Sequence, residues 1–139
     1  MKIKHIFKIF TIMMMLALTI FTTGCESQKE KYTKASYDLL NYDREFAKED
    51  NFIWGEFAKN KISKEEKIKL AEKNIKMLEN YEKDTKEKLE KMEKIAKGNP
   101  ELEYDVRLKK EDIDRKVKSH KKVKPMWEKT IQNLKNKSF

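Results

Sequence analysis

Glycine occurs three times, proline twice and cysteine once in 139 residues. So few turn formers argue against a turn-rich all-β fold and a collagen-like chain, and a lone cysteine excludes a disulfide-stapled scaffold. The length suits one compact domain, and the class left open is a long-helix protein. What is plentiful is charge: 33 Lys and Arg against 24 Asp and Glu give a formal net charge of +9, and 41% of the residues are charged.

Acidic residues are missing from residues 1–24. That stretch carries Lys2, Lys4, His5 and Lys8, then an apolar run from Ile9 to Phe21. A run of 13 residues suits the apolar region of a secretory signal and falls short of the ~20 that a permanent bilayer span needs, although an uncleaved anchor is the competing reading. The run ends in Thr22-Thr23-Gly24-Cys25, small residues directly before the only cysteine. This resembles the lipobox of bacterial lipoproteins. The resemblance implies that Cys25 takes a diacylglyceryl group and that cleavage between Gly24 and Cys25 makes Cys25 the mature N-terminus. Thr22 stands where that family usually has Leu. Two acyl chains, at ~0.8 kcal/mol per buried methylene, hold a chain on a membrane almost permanently. Without residues 1–24 the chain has 115 residues and a net charge of +6. Residues 25–31 then read as a lipidated tether and 32–139 as the folded part.

Three amphipathic segments follow, and they predict helices over about 28–61, 64–97 and 100–136. In the first, Tyr32, Leu39, Phe46 and Ile53 fall seven apart, with Asn51 and Gly55 allowing a kink or early stop. The second opens on Ser63-Lys64-Glu65-Glu66, a capping-box pattern, and carries a heptad seam of Ile68, Ala71, Ile75, Leu78, Glu82, Thr85, Leu89, Met92 and Ala96. Eight acid-to-Lys pairs at i, i+4 spacing, from Glu65/Lys69 to Glu93/Lys97, add an expected ~0.2 to 0.5 kcal/mol each. Gly98, Asn99 and Pro100 supply a stop, a cap and a first-turn proline. Pro125 lies inside the third segment and predicts a kink or break between Lys121 and Met126. Short connections make neighbours antiparallel, so the fold class is all-α: an up-down-up three-helix bundle with coiled-coil-like packing. The alternative is a long helical hairpin with a loosely attached first helix.

Catalytic candidates are scarce beyond residue 24: one histidine, His120, two glycines and no second cysteine. His120 lies in the apolar register and reads as a structural residue. No spacing calls for a metal or another cofactor, and the chain reads as a non-enzyme. Arg115, Lys116, Lys118, Lys121, Lys122 and Lys124 form a basic run with no acid before Trp127. It is a candidate patch for anionic envelope polymers, lipid headgroups or an acidic surface protein. Export argues against nucleic acid. The competing reading is internal neutralisation by Asp43, Glu45, Glu49 and Asp50, since residues 26–60 sum to −2 and residues 99–139 to +5. Phe52, Trp54 and Phe57, around Ile53, are a candidate apolar anchor or a cap on the core. Glu82 is expected to pair with Arg44 or Lys116 and to fix register.

The sequence thus predicts a lipid-anchored extracytoplasmic helical protein that acts by binding or as an envelope component. A chaperone or inhibitor is the alternative. A homodimer is an open possibility for so narrow a seam.

Overall fold

The computed structural model describes residues 26–136; the expected leader over 1–24 and Cys25 lie outside the described residues. It holds three helices: α1 (Gln28–Phe57), α2 (Lys64–Ala96) and α3 (Pro100–Asn136). Each start has a local cause. Ser27 and Ser63 both close capping boxes, their hydroxyls accepting from the backbone of Glu30 and Glu66 while those carboxylates accept from the serine N–H groups. At α3, Asn99 Oδ1 accepts from Leu102 N at 3.3 Å, and Pro100 opens the helix. Gly98 turns the chain between α2 and α3 at a φ of 83°, in the left-handed region that favours glycine.

α1 begins at Gln28, so residues 28–31 of the stretch expected as a tether are helical. It ends at Phe57 rather than near residue 61. α3 continues through Pro125 without the expected break. Pro125 is exposed, so solvent can take the carbonyl its ring frees, and buried Ile113 and Trp127 hold the helix on either side.

Contacts fix the topology. Side chains of α1 and α3 meet at Tyr32/Asp105, Asp43/Lys116, Phe46/His120 and Trp54/Trp127, a nearly constant offset that makes the two helices parallel. α2 runs antiparallel to both, with Tyr42 bonding Asp84 on one side and Glu82 bonding Lys121 on the other. The fold is an up-down-up three-helix bundle. α1 packs along α2 and is not loosely attached.

Two apolar clusters make up the core. One surrounds Tyr32, Leu39, Met92 and Val106, and the other surrounds Ile53, Ala71, Leu78 and Trp127; Phe46 packs against both. The seam of α2 departs from the expected heptad. Tyr81 is fully buried, and Glu82 lies on the exposed α3 side, pairing with Lys121 instead of Arg44 or Lys116. The buried positions Tyr81, Thr85 and Leu89 follow two steps of four, the wider spacing by which a 3.6-residue helix catches up with a 3.5-residue seam. Among the described residues none of the eight i, i+4 pairs of α2 closes as an ion pair. Its charges reach across instead: Lys73 and Lys88 to α1, and Glu72, Glu79, Glu82 and Glu93 to α3.

Candidate functional site

The basic run of α3 spans nearly three turns, so its side chains point in different directions. Lys116 points inward, its Nζ 2.7 Å from Asp43 and 2.8 Å from Asp112. Burial pulls the Lys116 pKa down, but its bonds to Asp112 and Asp43 outweigh that and hold it above the ordinary lysine value. The same bond, with a second from Arg115 at 2.9 Å, holds the Asp112 carboxyl below the usual range. Lys121 and Lys124 lie toward α2, at 2.8 Å from Glu82 and 2.7 Å from Glu79. Lys118 and Lys122 project from the opposite, solvent-facing side and form no ion pair among the described residues.

Internal neutralisation therefore covers part of the run, and mostly through α2. Of the four α1 carboxylates expected to supply it, only Asp43 does. Glu45 pairs with Lys48, Glu49 with Lys73, and Asp50 accepts from Asn74. The reason is rotational: Glu49 and Asp50 reach α2 side chains, while Glu45 stays paired along its own exposed surface.

A polar layer crosses the middle of the bundle. Asp43 accepts from the Tyr81 hydroxyl at 2.7 Å as well as from Lys116. His120 packs between Phe46 and Tyr81, with ring centroids 5.0 and 4.7 Å away. Its Nδ1 is buried without a protein partner, and burial pushes its pKa below the ordinary histidine value against the pull of Asp50 and Asp43. Two further tyrosines bond carboxylates on neighbouring helices: Tyr32 to Asp105 at 2.6 Å and Tyr42 to Asp84 at 2.8 Å. Sequence reasoning missed all three tyrosine–aspartate bonds, because each joins residues on different helices and no local spacing signals it.

The three aromatic candidates separate. Trp54 packs on Trp127 with ring centroids 4.3 Å apart and planes tilted by 42°, and Phe57 meets the same indole edge-on at 4.9 Å, with Lys67 over the Phe57 ring. Ile53 is fully buried. Phe52 projects away from this cluster and is 54% exposed, since two residues turn a helix by about 200°. Trp54 stays 41% exposed above Trp127. Ile53 and Phe57 pack into the end of the core, while Phe52 and much of Trp54 stay exposed.

Comparison with known proteins finds no matching family model, curated protein or solved structure. The chemistry must come from the chain's own residues. Among the described residues no three His, Cys, Asp or Glu side chains converge where a metal ion would sit, and no described helix is long and apolar enough to cross a membrane. A groove of about 250 Å³ lies between α1 and α3, floored by Leu39 and Ile113 and rimmed by exposed Leu40 and Leu108. The arrangement offers surfaces for binding: a lysine face, an aromatic end and a shallow groove.

Proposed function

We propose that this chain is an exported lipoprotein, anchored through Cys25, whose helical bundle works by binding at the cell envelope rather than by catalysis. The observation that carries the reading is the N-terminal order of Lys2, Lys4 and Lys8, the apolar Ile9–Phe21 run and Thr22-Thr23-Gly24-Cys25. The bundle supports it in one respect. Its first helix starts at its own Ser27–Glu30 capping box, two residues after the cysteine and so downstream of the proposed cleavage.

Growth with radiolabelled palmitate tests the anchor. The wild-type chain is expected to take up label and sediment with membranes, and Cys25→Ala to lose the label. Equal labelling of the two would reject the reading. The half-exposed Phe52 and Trp54 favour a second reading, in which the end of the bundle farthest from the anchor holds a client or blocks an enzyme as a chaperone or inhibitor does.

A further inference from the structure

Lys118, Lys122 and Lys129 share one stripe of α3. At 100° per residue they lie within about 40° of one another, and all three are exposed and without an ion-pair partner among the described residues. Arg115 borders the stripe; no acidic residue lies between it and Trp127, and the acids near the two ends, Glu111, Asp114 and Glu128, form no ion pair with these three lysines among the described residues. The exposed face of α2 differs. There Lys69, Lys76 and Lys83 are interleaved with Glu72, Glu79 and Glu87, so the face has no sustained field of one sign. The bundle pairs Lys116, Lys121 and Lys124 with carboxylates and leaves this outer row without ion pairs among the described residues.

We infer that the outer face of α3 binds a linear polyanion, a chain of repeated phosphate or carboxylate groups, along Lys118, Lys122 and Lys129. The inference rests on the lipoprotein reading for one point, where this face stands relative to the membrane. The lysines are ~6 and ~10 Å apart along the axis, so a polymer meets several together whereas a small anion meets one. Position argues against the chain's own bilayer as the partner. Gln28 bonds the carbonyls of Ile95 and Lys97, which puts the start of α1 beside the α2–α3 turn. Lys118 and Lys129 lie 18 and 29 residues beyond Pro100, about 27 and 44 Å from that end for a bundle standing upright. That is several times the ~8 Å over which physiological salt screens charge.

The test uses the full chain in neutral detergent micelles and fluorescently labelled long-chain polyphosphate, with anisotropy read between 50 and 200 mM NaCl. The wild type is expected to bind, more weakly as salt rises. Lys118→Gln/Lys122→Gln/Lys129→Gln is expected to weaken binding at least tenfold and to flatten the salt dependence by about 2 in log–log slope, from ~0.7 per contact on single strands. Lys69→Gln/Lys76→Gln/Lys83→Gln removes equal charge and is expected to change affinity less than threefold. Equal losses in the two triples would overturn the proposal, as would no polyphosphate binding. Binding to phosphatidylglycerol vesicles alone, lost in the α3 triple, would assign the face to a membrane instead. Cys25→Ala is expected to leave polyphosphate affinity unchanged, so the anchor and the polymer site fail separately.

Discussion

Asp43 accepts hydrogen bonds from α2 and α3 at once, so one carboxylate of α1 sets the level of both its neighbours. Hydrogen bonds to charged groups contribute ~1.5 to 3 kcal/mol, more than an exposed ion pair at ~0 to 1 kcal/mol. Level-setting therefore belongs to such bonds more than to the many surface Lys–Glu pairs. Beside Asp43 sits His120, faced by Phe46 and Tyr81, with Asp43, Asp50 and Lys116 as its charged surroundings. Its folded-state pKa is lowered, so below the ordinary value of 6.5 the unfolded chain binds the proton more readily. Stability is therefore expected to hold above about pH 6.5 and to decline as pH falls from there toward 5. Thermal unfolding of the wild type against His120→Gln checks this. A decline that survives the substitution unchanged would assign the pH dependence to groups other than His120. His120 was legible as a member of the apolar register. Its surroundings were not, because they come from two other helices.

The glycines make opposite contributions to the helices. Gly55 lies inside α1, and a Cβ added there meets nothing within 4 Å. Gly55→Ala is expected to stabilise the bundle by about 0.5 to 1 kcal/mol in chemical denaturation. Gly98 at φ +83° has open space as well, but its backbone suits few L side chains, and Gly98→Ala is expected to cost about 1 to 2 kcal/mol. Element limits were legible wherever such local chemistry decides them, as at Ser63, Gly98 and Pro100. The α1 cap at Ser27 carries the same pattern, Ser with Glu30 three residues on. The seam of α2 was legible only in part. Glu82 and Tyr81 are adjacent, and the choice between them follows from the drift between 3.5 and 3.6 residues per turn. Thr85 is buried in that seam because its hydroxyl bonds the Tyr81 carbonyl at 2.6 Å, which removes its need for water.

Across the whole molecule α2 is the shared element, since α1 and α3 both pack along it and meet each other mainly through side chains. Amide exchange of the native protein is expected to be slowest around Tyr81–Leu89 of α2 and fastest in the first turn of α1 and the last turn of α3. Uniform protection across the three helices would contradict that order. The bundle class was legible from three long segments and short connections. The division of the basic run into an inner, paired set and an outer, free row was not, because it depends on how α3 is rotated against α2. The cap at Ser27 has one more consequence. Only Glu26 stands between it and Cys25, and α2 alone measures about 50 Å. On the proposed anchorage the protein is a stiff post with almost no slack at its foot, and its helix length sets the clearance between the bilayer and whatever touches Trp54 at its top.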